Sequence, residues 1–215
     1  MMVVLAVKFV WNAAVGVWQV KLGVVSDIHG NISALRTAID ALVPVVDELL
    51  VAGDAFSDHR FSNDVIDEIR ARGARYVLGN HEMSLLGPSG VRARNSARVG
   101  KDNLDFVSSQ SLQIRVQVDG KSLLMVHGSP WEPFGDYLAR NNPKFNRCDE
   151  LEADFLITGH THTAFTARFG RTLVVNPGSL GKSDDPDRRS SVTYAVLDTS
   201  SEEVELHEFD NPLFS

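Results

Sequence analysis

An α/β fold is predicted for this 215-residue chain by three features of its sequence. Apolar runs of strand length alternate with helical-period segments from residue 21 to residue 78. Carboxylate, carboxamide or imidazole side chains, set beside glycine, close those runs. The second half consists mostly of short apolar or alternating runs bounded by turn residues. A β-α-β-α-β order implies parallel strands joined by right-handed crossovers. In such sheets ligands bind outside the carboxyl ends of the strands.

Residues 22–26 read as a buried strand that stops at Asp27, skips one residue and presents His29. Side chains two apart in an extended segment point the same way, so Asp27 and His29 can reach one point beyond the strand. Gly30 permits a sharp turn, and Asn31 is placed to cap a helix over 32–42. Ala34, Leu35, Ala38, Ile39 and Leu42 recur there at helical spacing, and Pro44 closes the segment. Residues 49–52 form a second strand ending at Gly53-Asp54. Val65, Ile66 and Ile69 mark a second helix that ends near Gly73. Residues 76–78 form a third strand, ending at Gly79-Asn80-His81-Glu82.

Residues 87–103 are rich in Gly, Ser and Arg and read as a loop, with Arg92, Arg94 and Arg98 solvated or one of them turned toward a phosphate. Residues 104–107 end a short helix. Ile114, Val116 and Val118 alternate, Asp119-Gly120 is a hairpin turn, and residues 123–126 return to His127. After a Pro-bearing connection, residues 155–157 form a strand that ends at Gly159-His160-Thr161-His162. Further strands are expected at 173–175, 192–197 and 204–207, with a charged loop over 183–191.

The length suits one domain with a substantial core. A net charge of −7 argues against a nucleic-acid polymer or an anionic membrane as partner. Cys148 is the sole cysteine, which excludes an intrachain disulfide and fits a cytoplasmic location. Residues 1–20 are apolar but interrupted by Lys8, Asn12 and Gln19, too polar a stretch for a spanning helix. They are expected to form an ordered extension, a candidate surface for self-association, ahead of a single domain over 21–215.

Five of the seven histidines fall in the strand-end turns, together with Asp27, Asp54 and Asn80. Imidazole and oxygen donors without thiolate suit Mn, Fe, Zn, Co or Ni, manganese being the first expectation. The donors Asp27, His29, Asp54, Asn80, His127, His160 and His162 are too many for one four-coordinate ion and sufficient for two. Two such metals, about 3.5–4 Å apart, clamp the attacking and leaving oxygens of a displacement at phosphorus.

Taken together, Asp27-x-His29-Gly30-Asn31, Gly53-Asp54, Gly79-Asn80-His81-Glu82, His127-Gly128 and Gly159-His160-Thr161-His162 resemble the calcineurin-like metallophosphoesterases. The short spacings and the Asn176-Pro177-Gly178-Ser179 turn look most like the small phosphodiesterases of the YfcE type. The resemblance covers about residues 21–208 and implies a four-layer α/β/β/α sandwich of two mixed sheets. It implies one metal held by Asp27, His29, Asp54 and His162 and another by Asp54, Asn80, His127 and His160. A hydroxide bridging the two would attack a small phosphate ester, with His81 assisting the leaving group.

Glu82 is expected either to orient His81 or to stand as a helix-start carboxylate. Asn31 either caps its helix or touches substrate alongside Asn80. Trp131 and Phe134 either line the substrate site or pack. Bis-nucleotide and phosphoprotein phosphatases are disfavoured, because Gly53-Asp54-Ala55-Phe56-Ser57-Asp58-His59 lacks the second Asp, Arg and Gly of their motif. A catalytically silent scaffold, like the retromer subunit that resembles this family, is the other alternative. Every expected ligand and His81 are present, which argues against it.

Overall fold

Alternating burial sorts most of the chain into two mixed sheets whose inner faces meet. The computed structural model describes residues 10–12, 17–184 and 190–214. Strands β1 (Val10–Asn12) and β2 (Val17–Gln19) pair antiparallel with Trp11 opposite Trp18. The remainder of the expected N-terminal arm, residues 1–9 and 13–16, lies outside the described residues, as do 185–189 of the charged loop. Then follow β3 (Lys21–Val25), α1 (Ile32–Leu42), β4 (Glu48–Val51), α2 (Asn63–Ala71) and β5 (Arg75–Tyr76). Next come α3 (Asn80–Leu86), α4 (Val91–Arg94), α5 (Lys101–Ser108), β6 (Gln113–Val118) and β7 (Lys121–Val126). A 3-10 run, Pro143–Leu151, precedes β8 (Phe155–Ile157), β9 (Phe165–Phe169), β10 (Thr172–Asn176), β11 (Ser191–Asp198) and β12 (Glu203–Asp210).

One sheet runs β12-β11-β3-β4-β5 and the other β6-β7-β8-β10-β9. The β3-β4-β5 and β7-β8-β10 pairs are parallel, so these strands deliver their carboxyl ends to one rim of each sheet. Between the sheets, Leu22, Val24 and Leu50 interlock with Met125, Phe155 and Ile157, all almost wholly buried. The opposite face of the first sheet presents Val25, Val51 and Tyr76 to Leu35, Ile39, Ile66 and Ile69 on α1 and α2. Each such apolar side chain withdrawn from water stabilises by roughly 1.5–3 kcal/mol. The outer face of the second sheet is covered by Phe145, Cys148 and Leu151 of the 3-10 run. The result is two mixed sheets flanked by helices, in which the fourth layer is the 3-10 run among the described residues.

Several elements differ from expectation. The 87–103 stretch, expected as a loop, holds a 3-10 turn over Pro88–Gly90, helix α4 and the first residues of α5. Helix α3 begins where the sequence reads as a strand-end turn, β9 pairs antiparallel along the edge of β10, and the connection before β8 is helical. The third strand is also displaced, because Val77 leaves β5 to bridge Ser111.

Candidate metal centre

Five strand ends supply the site: β3, β4 and β5 from one sheet, β7 and β8 from the other. Backbone hydrogen bonds lace the turns beyond them together. Asp27 N donates to Gly53 O at 3.1 Å, His29 N to Asp54 O at 3.0 Å, and Gly159 N to His127 O at 2.7 Å. The turns are tight enough to hold Asp27, His29, Asp54, His160 and His162 at positive φ, between 51° and 68°. Side-chain-bearing residues visit that region at a cost of order 1–3 kcal/mol each. Five such residues in one cluster indicate a geometry that the surrounding fold enforces. Gly79 belongs to the same enforcement, since a Cβ there would fall 2.1 Å from Asp54 Oδ1.

Three overlapping triads result: Asp27 with His29 and His162, His29 with Asp54 and His81, and Asp54 with His127 and His160. In the first, His29 Nε2 and His162 Nε2 lie 3.0 Å apart, and His162 Nε2 is 3.3 Å from Asp27 Oδ1. In the third, His127 Nε2 is 3.2 Å from Asp54 Oδ2 and 3.1 Å from Asn80 Oδ1. Asp27 Oδ1 approaches His127 Nε2 at 3.9 Å, which brings the outer triads side by side. The sequence-predicted donors Asp27, His29, Asp54, Asn80, His127, His160 and His162 therefore all converge, with His81 beside them.

The donor set fits divalent cations on its own geometry. His127 Nδ1 lies 2.7 Å from the Ala52 carbonyl, an acceptor, so the proton of a neutral ring sits there. The Nε2 lone pair then faces the oxygens of Asp54 and Asn80, an arrangement that only a proton or a metal can satisfy. Burial opposes a charge on His127, yet Asp54 and Asp27 outweigh it and push its pKa up to about 10. Burial likewise opposes charge on Asp27 and Asp54, but the nearby imidazoles hold both below the usual carboxylate range. Among the described residues, Asp27 Oδ1 and His160 Nε2 are buried without a hydrogen-bond partner, as donor atoms kept for a cation would be.

A model of the calcineurin-like phosphoesterase superfamily domain matches residues 20–202. The chain belongs to that superfamily. The probable metallophosphoesterase YsnB of Bacillus subtilis is 25% identical over 153 residues, covering 69% of this chain and 86% of its own. A metallophosphoesterase from Sphaerobacter thermophilus superposes with a TM-score of 0.71 at 21% identity, over 90% of both chains. The phosphoesterase YfcE of E. coli superposes with a TM-score of 0.53 at 18% identity, over 89% of this chain and 99% of its own. These two structures share the fold of two sheets between helical layers. Among the described residues, no helix is long and apolar enough to cross a membrane.

For Glu82 and Asn31 the structure takes the helix-start and cap roles that the sequence left open, and not the functional ones. Glu82 does not orient His81: its carboxylate accepts from Gly79 N at 2.7 Å, Ala55 N at 2.8 Å and Asp54 N at 3.0 Å. It is a buried clasp between the second and third strand ends. Burial, reinforced by Asp54, pushes its pKa up to about 7. Asn31 is not turned toward substrate either. Its amide donates to Leu180 O and Asn211 Oδ1, both at 2.9 Å, and its carbonyl caps α1 at Ala34 N. Trp131 packs against the outer core, with the Arg147 guanidinium 5.1 Å from its ring centroid.

The partners of the imidazoles escaped sequence reasoning. Asp58 Oδ1 lies 2.7 Å from His81 Nδ1, Ser57 Oγ 3.3 Å from His29 Nδ1, and Asp184 Oδ2 3.3 Å from His162 Nδ1. Tyr137 stacks on His160 with ring centroids 4.1 Å apart. Asp58 follows Asp54 by four residues, which was the one available signal. The Asn176 turn sits beneath the site, with Gly178 at φ +82° and Ser179 Oγ donating to Asp27 O at 2.8 Å.

Proposed function

We propose that this protein is a binuclear metal-dependent phosphoesterase, a phosphodiesterase in preference to a monoesterase, acting on small phosphate esters in the cytoplasm. The observation that carries the reading is the pair of adjoining imidazole–carboxylate triads, Asp27/His29/His162 and Asp54/His127/His160, with Asp54 also within reach of His29. Asp27, His29, Asp54 and His162 would hold one cation, and Asp54, Asn80, His127 and His160 the other. Bound there, divalent ions supply Lewis acidity and activate water for in-line displacement at phosphorus.

The chain's own groups govern the proton. His81 Nε2 faces the centre, 3.7 Å from Asp54 Oδ2. The Asp58 amide N–H lies 2.8 Å from His81 Nδ1. As imidazolium the ring carries a proton on each nitrogen: Nδ1–H donates to the Asp58 carboxylate, 2.7 Å away, and Nε2–H lies on the side from which a leaving oxygen would take it. Transfer of the Nε2 proton to that oxygen leaves a neutral ring that keeps its Nδ1–H on the Asp58 carboxylate, and a proton from solvent restores the imidazolium. His81 thus acts as the acid, and Asp58 as its positioning residue.

Hydrolysis of bis-p-nitrophenyl phosphate by the purified protein, with and without added manganese, tests the reading. Manganese-dependent turnover that disappears in Asp54→Ala is expected. Metal binding without turnover of diesters, monoesters or nucleotides would overturn it in favour of a scaffold that keeps the fold.

A further inference from the structure

The three arginines of the 87–103 segment do not share one fate. Arg94 is consumed structurally: its guanidinium donates to Leu85 O and, at 2.8 Å, to Gly87 O, closing the end of α3. Arg92 and Arg98 instead line a cleft of about 590 Å³ together with Arg60 and His59. Among the described residues none of these three arginines forms an ion pair, and no acidic side chain lines the cleft. On a chain of net charge −7 such a concentration of one sign is a local reversal. Like charges held around one hollow repel each other, and a cleft of single sign focuses its field on any anion that enters.

The cleft adjoins the metal centre through a single turn. Residues 57–60 are closed by Arg60 N donating to Ser57 O at 2.8 Å, with Asp58 at φ +40°. Ser57 and Asp58 face His29 and His81, while His59 and Arg60, the next two residues, face the cleft. Two residues along a chain span at most about 7 Å, so the Asp58 and Arg60 backbones lie within that distance. On the far side, His59 Nε2 reaches Ser84 Oγ of α3, one helical turn beyond His81. That one turn is what lies between the centre and the cleft.

We infer that the cleft of Arg60, Arg92 and Arg98 is an anion subsite that binds a second phosphoryl group of the substrate. The substrate class is therefore a phosphate ester carrying a further phosphate, rather than a diester whose other groups are neutral. Planar guanidinium forks match phosphate oxygens in pairs, and their three separate origins (the 57–61 turn, α4 and the loop after it) let them surround it. The assignment of substrate rests on the phosphoesterase reading; the anion subsite itself does not.

Calorimetric titration of inorganic pyrophosphate into chelator-treated protein reads the subsite without turnover. Binding is expected in the native chain and weakened at least tenfold in the Arg92→Gln/Arg98→Gln double variant. Arg60→Gln, from a different element, is expected to weaken it in the same direction. Arg36→Gln, at an exposed pair with Glu68, serves as the control that leaves binding alone. Absence of binding, or binding indifferent to all three cleft arginines, overturns the inference even if diester turnover is found. Arginine-dependent binding without any turnover would retain the subsite and remove the phosphoesterase reading.

Discussion

Glu82 shows what one buried carboxylate can hold in place. Its two oxygens accept three backbone N–H groups from the turns that carry Asp54 and Asn80. Glu82→Gln leaves one acceptor and points an amide N–H₂ at donors that then go unpaired. Such a change costs about 1–3 kcal/mol, and denaturant unfolding should show it together with weakened manganese binding. An unchanged midpoint would mean that the clasp is dispensable. His81 calls for the opposite pattern. His81→Ala should retain metal by elemental analysis yet lose activity by roughly 10²–10⁴-fold, the usual weight of a positioned acid. Asp58→Asn should lose less, about 10–100-fold as for other groups that orient an imidazole, and its pH–rate profile should move. Empty metal sites in His81→Ala would instead make it a ligand, as its place in the middle triad allows. The seven residues that converge were legible in the sequence because each stands at a strand end beside a turn residue. Asp58, Ser57 and Asp184 were not, because which ring a side chain meets depends on turn dihedrals that residue identity does not dictate.

Elements were legible in proportion to their burial. Helix α1 buries five residues at helical spacing and matches its expected bounds of 32–42. Helix α3 buries only Glu82 and Leu85 among seven residues, so no apolar periodicity announces it. Its polar first turn reads equally well as ligand chemistry. Strand β9 is an edge strand with one fully buried residue, Phe165, and so lacks a continuous apolar run. The 3-10 run was hidden by Pro143 and by charged residues facing away from Phe145 and Cys148. Cap chemistry was clearer, and Asn31 gives a test at this scale. Asn31→Ala removes the α1 cap, typically worth about 1 kcal/mol, and also takes the side-chain donor from Leu180 O, while Asn211 Oδ1 loses one of its two donors and keeps Leu213 N. The expected loss is therefore about 2–3 kcal/mol by chemical denaturation. A loss of only a few tenths would show that water replaces the amide there.

At the scale of the molecule, the metal-free centre makes stability depend on pH in both directions. Burial depresses His29 and His160, each to about 4, although Asp27 and Asp54 pull the other way. The folded state refuses protons that an unfolded imidazole, titrating at 6.5, accepts. Stability must therefore fall as pH drops from 6.5 toward 4. His127, raised to about 10 by Asp54 and Asp27 against its burial, acts in reverse. The folded state keeps a proton that the unfolded chain releases above 6.5, so this stabilisation is complete below 6.5 and is lost toward pH 10. His162, likewise raised against its burial by Asp27, adds to the same limb. Thermal melts of chelator-treated protein should accordingly trace a dome with its summit near pH 6.5. A cation on His127 Nε2 takes the place of that proton, so manganese should flatten the alkaline limb. Uptake of manganese at neutral pH should also release protons, in an amount that calorimetry in buffers of different ionisation enthalpy can count. Metal-free protein that melts at the same temperature at pH 7 and pH 10 would show that the two carboxylates do not hold a proton on His127. The case for a cation at that nitrogen would then lose its electrostatic support.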